Sequence, residues 1–312
     1  VIEQSGIVVE EQRNYYRVDS AGRTVRATLS GAVRKQRVRP CIGDRVDFVV
    51  INQDGAEGVI RAVRPRKNHM RKPPVANMDQ ALLVFTFHEP PLDLAGLDRF
   101  LCGAAAAGIQ SVLVANKCDV LNRREQAQLD AIIAVYQTIG YAAVATSAQT
   151  GANIEALLSL CTARLSFFAG LSGVGKSSLL ARIFPDHAFR TSELSHNASR
   201  GVHTTTNTRL LPLRGGGYIA DTPGYSLVDL PAMAPESVRE CFPEIMAHSR
   251  ECRFHNCLHI NEPDCAVKQA TADGRIASWR YEHYAAMYDE HERRARKSGG
   301  KKRRGPLRSK NT

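Results

Sequence analysis

Gly170-Leu171-Ser172-Gly173-Val174-Gly175-Lys176-Ser177 fits G-x-x-x-x-G-K-[ST], the pattern of a loop that cradles phosphates. Glycines let backbone N–H groups turn inward around phosphate oxygens, and a following helix adds the partial positive charge of its N-terminus. Lys176 is the candidate group for the β- and γ-phosphates and for the charge that develops in transfer, and Ser177 for a Mg²⁺ ion. Ser178 carries the loop into its helix. An apolar run at 165–169 precedes the loop and a helix-like 178–184 follows it, which is the setting the motif requires.

Asn116-Lys117-Cys118-Asp119 has the form N-K-x-D and follows the apolar run 111–115. The Asp119 carboxylate can accept from N1–H and the 2-amino group of guanine, donors that adenine lacks. An unpaired carboxylate opposite adenine allows discrimination of about 10⁴-fold. Asn116 would tether neighbouring loops, and the Lys117 stem would lie along the base. Thr146-Ser147-Ala148, about thirty residues on, resembles the loop that meets guanine from its other side. Asp221-Thr222-Pro223-Gly224 is a D-x-x-G element, whose Asp221 and Gly224 would sense Mg²⁺ and the γ-phosphate. Between it and the phosphate loop lies His203-Thr204-Thr205-Thr206, a candidate first switch. One of Thr204, Thr205 and Thr206 would complete the Mg²⁺ shell, and spacing does not choose among them.

Tyr225 stands where a Ras-like protein has the glutamine that orients water. Slow intrinsic hydrolysis is therefore expected, because positioning supplies much of the catalysis in phosphoryl transfer. His203 is the candidate to position the water once a partner orders its segment. In an ordinary GTPase the phosphate loop comes first and the base-reading tetrapeptide later. Here the order is reversed, as in a chain whose usual ends are joined and which is opened elsewhere.

Of eight cysteines, Cys252, Cys257 and Cys265 gather around His259 as C-x4-C-x-H-x5-C, while Cys41, Cys102, Cys118 and Cys161 are scattered. Three thiolates and one imidazole make a closed tetrahedral site suited to structural Zn²⁺, with His255 and Cys241 as rival ligands. Such a metal would pin a small helical domain built from helices at 235–248 and 278–297.

The elements that must position these groups follow from periodicity. Short β-rich runs at 7–10, 15–18, 24–29, 45–51 and 58–63, separated by turn residues, predict a five-stranded barrel, OB-like or SH3-like on pattern alone. Tyr15 and Tyr16, among basic residues, are candidates for stacking on bases. A basic, proline-rich linker follows. Then strand 80–87, helix 92–107, strand 111–115, helix 123–139, strand 141–145 and the phosphate-loop unit alternate as in a parallel sheet with helices on both faces. The Ala104–Ala107 run reads as tight helix packing.

Charge is placed unevenly. Residues 1–72 hold 15 Lys and Arg against 8 Asp and Glu, and residues 293–312 hold 10 basic residues and no acid, within a total of +11. Basic ends flanking an acidic centre predict a polyanionic partner, with RNA the natural one. No apolar run approaches the roughly 18 residues of a membrane span, and the opening lacks a signal-peptide pattern. A cytoplasmic location without membrane association is expected. The chain opens on Val1 rather than methionine, which suggests that a few residues precede it.

The reversed motif order, the threonine run, D-T-P-G and the cysteine cluster together resemble the RsgA family of GTPases that depend on the small ribosomal subunit. Val202 departs from the family's G-R-H-T-T-T, in which arginine stands at that position. The resemblance implies an OB-fold at the N-terminus and Zn²⁺ held by Cys252, Cys257, His259 and Cys265, the family spacing excluding His255 and Cys241. It also implies hydrolysis of GTP to GDP and phosphate, stimulated by the small ribosomal subunit and its rRNA, in late maturation of that subunit. The expected layout is a barrel at 1–66, a linker at 67–79, a permuted GTPase domain at 80–230, a zinc-binding helical domain at 231–297 and a basic tail at 298–312. Nothing in the sequence demands more than a monomer.

Overall fold

The computed structural model describes residues 3–36, 39–52, 54–71, 74–187, 208–221 and 233–302. His203, Thr204, Thr205, Thr206, Gly224 and Tyr225 lie outside the described residues, as does the tail beyond 302.

Strands β1 (Glu3–Glu11), β2 (Tyr16–Ser20), β3 (Arg23–Leu29), β4 (Arg45–Val50) and β5 (Glu57–Val63) close a barrel in the order β1-β2-β3-β5-β4-β1. Only the β3–β5 pair is parallel. A short helix, α1 (Gly31–Lys35), links β3 to β4 and is capped by the Ser30 hydroxyl accepting from Val33 N. Alternate residues point inward, so Val8, Val18, Val25, Ala27, Val46, Phe48 and Ile60 fill the core, and Tyr16 joins them. This barrel is OB-like. Tyr16, buried in the core, is thereby unavailable to stack on a base. Tyr15 is half-buried with the Arg26 guanidinium 4.5 Å from its ring centroid.

β1 carries a bulge at Val9: Val8 lies opposite Val18 but Glu10 lies opposite Arg17. The extra residue re-aims everything after it. Without it Glu10 would face the buried Tyr16 position. With it, Glu10 stands on the outer face.

Within the segment read as a linker, β6 (His69–Arg71) and β7 (Pro74–Ala76) form a hairpin. Asn68 fastens its base, donating to Met78 O and accepting from Met78 N.

The central sheet comprises β8 (Gln80–Phe85), β9 (Gln110–Ala115), β10 (Ala142–Ala145), β11 (Leu165–Ala169), β12 (Arg209–Pro212) and β13 (Tyr218–Asp221), in the order β10-β9-β8-β11-β13-β12. All pairs are parallel except β12–β13. β11 sits centrally, where strand order reverses and open α/β sheets bind ligands. Helices α4 (Ile154–Cys161) and α5 (Lys176–Ile183) bury Leu157, Cys161, Leu179 and Leu180 against Leu82, Val112, Val114, Phe168 and Ile219. Only Thr162, Ala163 and Arg164 join α4 to β11. Ala163 takes a left-handed conformation (φ 57°), and its N–H donates to Gly216 O at 3.1 Å. β12 also pairs with β1 through Glu10 and Arg209, so barrel and central sheet form one continuous sheet of eleven strands.

The chain forms two compact units. The second gathers Asp93–Ala106 and Ala134–Gly140 with Val228–Thr312, so α2 (Leu94–Ala106) and the end of α3 (Arg123–Thr138) cluster with the C-terminal elements. Those elements are a 3-10 turn (Pro235–Cys241), α6 (Pro243–Ser249), α7 (Ala266–Ala272) and α8 (Ser278–Lys302). The single helix expected at 235–248 is divided at Phe242 because Pro243 supplies no N–H and instead starts α6. Of the alanine run, Ala104 alone is buried; Ala105, Ala106 and Ala107 are exposed.

Inside this unit Arg280, 1% exposed, donates to both carboxylate oxygens of Glu244 and to Asp98 of α2. Asp98 also receives the Tyr136 hydroxyl and lies 2.6 Å from His283 Nδ1. The Arg280 guanidinium sits 4.6 Å from the Phe242 ring centroid. Val238, Phe242, Ile245, Val267, Ile276 and Tyr284 form the surrounding core.

Candidate nucleotide site and metal centre

Three loops carrying sequence motifs leave the carboxyl ends of parallel strands, 116–119 after β9, 146–148 after β10 and 170–177 after β11, and Asp221 is the last residue of β13 at the same end. Asn116, 4% exposed, ties the three loops together. Its Nδ2 donates to Val174 O at 2.9 Å, and its Oδ1 accepts from Ala148 N at 3.2 Å and lies 3.4 Å from Thr146 Oγ1. Thr146 O accepts from Cys118 N at 3.0 Å, and Ser147 Oγ accepts from Thr150 N at 3.0 Å. Lys117 is left-handed (φ 64°), and its ammonium donates to Glu89 O at 2.9 Å. Asp119 is exposed beside them, available to a ligand's donors.

Gly170, Gly173 and Gly175 all take positive φ. A Cβ on Gly170 would stand 2.2 Å from Val84 O, and one on Gly175 2.3 Å from Asn116 Nδ2. Gly175→Ala therefore both strains the backbone, by about 1–2 kcal/mol for an L-residue at this φ, and displaces the tether at Asn116. The expected outcome is lowered urea stability together with a disproportionate loss of nucleotide affinity. Lys176 Nζ donates to Gly170 O at 2.9 Å and Leu171 O at 2.6 Å, bending over the loop. Burial pulls its pKa down from the usual lysine value, a shift that a phosphate beside it would oppose. Ser177 and Ser178 open α5 beneath the loop, with Ser172 and Leu171 exposed at its rim.

Asp221 pairs with Arg209 across β12–β13, Oδ2 to Nε at 3.8 Å. Burial raises its pKa while Arg209 and His187 lower it. This pairing was not anticipated from sequence, since Arg209 falls in no motif and the contact depends on register.

In the second unit the ligand atoms of Cys252, Cys257, His259 and Cys265 all lie within 4.8 Å of one another. Cys252 Sγ is 3.5 Å from His259 Nδ1 and 3.9 Å from Cys265 Sγ, and Nδ1 is 3.4 Å from Cys265 Sγ. A tetrahedron with Zn–S of about 2.3 Å and Zn–N of about 2.0–2.1 Å has edges of roughly 3.5–3.8 Å, so the cage fits the ion. The imidazole faces the thiols through Nδ1, while Nε2 is buried without a hydrogen-bond partner among the described residues. Burial and the neighbouring thiols push Cys257 up to about 12, a crowding that a divalent cation reverses. Tyr281 donates to His259 O, and the Glu262 carboxylate accepts from Leu258, Ile260 and Asn261 N–H groups, fixing the ligand loop. Neither rival ligand belongs to the cage: Cys241 Sγ contacts Cys102 O at 3.5 Å, and His255 is exposed.

The family model described as RsgA GTPase matches residues 63–231, and that described as RsgA N-terminal domain matches residues 5–60. A "Small ribosomal subunit biogenesis GTPase RsgA" of Shouchella clausii is 40% identical over 285 residues, covering 91% of this chain and 96% of the relative. The protein of the same name from Moorella thermoacetica is 42% identical over 285 residues, with the same coverage of both chains. Among solved structures, YjeQ from Thermotoga maritima superposes with a TM-score of 0.79 at 35% identity, covering 93% of this chain and 99% of that one. YloQ, described as a circularly permuted GTPase, gives 0.82 at 29% identity, covering 94% and 96%. With the N-K-x-D motif ahead of the G-x-x-x-x-G-K-S motif in the sequence, a barrel domain N-terminal to both and a Cys₃His cluster C-terminal to them, and with these matches, the chain belongs to the RsgA family of GTPases.

Proposed function

We propose that this protein hydrolyses GTP in the biogenesis of the small ribosomal subunit, and that the subunit stimulates the reaction. The observation that carries the reading is the Asn116 tether, which holds the base-reading, phosphate-binding and 146–148 loops at one end of one sheet. The names of the relatives support the biological role.

Asp119 selects guanine and Lys117 lies along it, with the 146–148 backbone on the far side. Backbone N–H groups of 170–178 and the Lys176 ammonium hold the phosphates. Mg²⁺, held by Ser177 and one of Thr204, Thr205 and Thr206, would neutralise charge on the β- and γ-phosphates. Asp221 and Gly224 report on that site, and His203 positions the attacking water. The zinc-binding unit and the basic ends serve contact with rRNA. The protein acts in the cytoplasm as a monomer; among the described residues no helix is long and apolar enough to cross a membrane.

Turnover of GTP and ATP is to be measured alone and with purified small or large ribosomal subunits. Stimulation of at least tenfold by the small subunit only, with GTP only, is expected, and Ser177→Ala should remove it. Equal turnover with and without small subunits would refute the reading.

A further inference from the structure

Five charged residues form one transverse row across five adjacent strands. Arg26 on β3 lies opposite Arg17 on β2, Arg17 opposite Glu10 on β1, Glu10 opposite Arg209 on β12, and Arg209 opposite Asp221 on β13. Directly opposed residues in antiparallel pairs share a face, so all five side chains project from the same side of the sheet. From Arg17 onward the signs alternate.

The present pairing leaves one exchange open. Arg17 Nε lies 3.4 Å from Glu10 Oε2, and Arg209 Nε lies 3.8 Å from Asp221 Oδ2. Glu10 thus stands between two arginines, engaged by the one in the barrel, and Gln12 contacts its other oxygen. Arg17 is 51% exposed and Arg26 is exposed beside the Tyr15 ring, which makes this end of the row accessible to a polyanion. The other end is the aspartate of D-x-x-G. The Val9 bulge is what places Glu10 in the row instead of opposite Tyr16.

We propose that this row is an electrostatic relay through which an RNA phosphate bound at Arg17 and Arg26 frees Asp221 for the nucleotide's Mg²⁺. The phosphate takes Arg17 from Glu10, Glu10 takes Arg209, and Arg209 gives up Asp221. Nothing covalent changes; two ion pairs, Arg17–Glu10 and Arg209–Asp221, break and their members take new partners. Arg209 is a positioning residue, acting through Asp221. The proposal rests on the nucleotide reading above and adds to it a route from the barrel to the site. Coupling between solvent-touched ion pairs is small, so the expected factor is about two- to fivefold. By linkage, Mg²⁺–nucleotide must tighten RNA binding by the same factor.

The test is a double-mutant cycle on the full chain. Affinity for a fluorescent, non-hydrolysable GTP analogue is measured across a Mg²⁺ series, with and without saturating small ribosomal subunits. In the unmodified protein the subunits should tighten Mg²⁺-dependent affinity. Glu10→Gln should reduce that gain by about two- to fivefold while leaving subunit-free affinity unchanged. Arg209→Gln should raise subunit-free, Mg²⁺-dependent affinity by a similar factor and lose the gain, and Arg209→Lys should restore both. The double substitution should match Arg209→Gln alone. An unreduced gain in Glu10→Gln, or effects that simply multiply, overturns the relay while leaving the nucleotide site standing. Failure of the unmodified protein to bind the analogue overturns the nucleotide site, and the relay with it.

Discussion

Removing Zn²⁺ with a chelator, or replacing Cys257 by serine, should unfold α2 along with the C-terminal helices. Cys257 and Cys265 are themselves members of the core that contains Val238, Phe242, Ile245 and Tyr284, so the cage and the apolar core are one object. Structural Zn²⁺ contributes an apparent binding free energy of about 10 kcal/mol or more. That is as large as the whole stability of an ordinary domain, about 5–15 kcal/mol. The buried thiols, left without a cation, cannot ionise into useful partners: Cys257 is already pushed up to about 12. α2 follows because its Cys102 belongs to the same core and its Asp98 to the Arg280 network. Hydrogen exchange should show protection lost across Leu94–Ala106 as well as Ser278–Lys302, with β9 and β11 keeping theirs. Protection retained in α2 after metal loss would refute this grouping.

Arg280→Met should destabilise the same unit by about 3–5 kcal/mol, the usual consequence of removing one partner from a buried ion pair. Burial opposes the guanidinium's charge, and the Glu244 hydrogen bonds with the Asp98 field hold it protonated well above the ordinary arginine range. Without it, buried Asp98 keeps the Tyr136 hydroxyl and His283, while buried Glu244 loses both of its guanidinium hydrogen bonds. Arg280→Lys should recover little, since one ammonium cannot serve both Glu244 oxygens and Asp98 as the planar fork does. Urea unfolding followed by Trp279 fluorescence, which reports on this unit through the contact with Tyr136, measures the change. A loss below 1 kcal/mol would mean that the network is not a structural support.

The candidate site was legible because phosphate-loop and base-reading motifs and thiolate cages are local patterns whose residues lie close in sequence; of these, the structure gathers the ligand atoms of the four cage residues within 4.8 Å of one another. The five barrel strands were legible through period-2 alternation. What escaped depends on register or on distant partners. Asp98 and Arg280 are separated by most of the chain, and an amphipathic helix such as α2 announces an apolar face without saying what covers it. The Val9 bulge is invisible to alternation, yet it decides which face Glu10 takes. Tyr15 and Tyr16 look equivalent in sequence; strand phase sends one into the barrel core and leaves the other at the surface. The β6–β7 hairpin hid behind prolines, and α1, α4 and α7 escaped because eight residues or fewer give too short a window for helical periodicity, whereas the equally short α5 was legible from the motif ahead of it.

The three-residue join between α4 and β11 has a consequence for how the protein comes into being. On a translating ribosome the 116–119 and 146–148 loops emerge before the 170–177 loop, and β8, β9 and β10 can pair while the place of β11 is still empty. The strand that centres the sheet arrives late and must insert beside β8, with β13 closing its other edge only after Asp221 is made. Because domains fold largely as units during synthesis, no nucleotide pocket exists until that insertion is complete. A newborn chain can therefore engage a nucleotide only once β11 is seated beside β8, so ligand occupancy doubles as a mark that the central strand is in place.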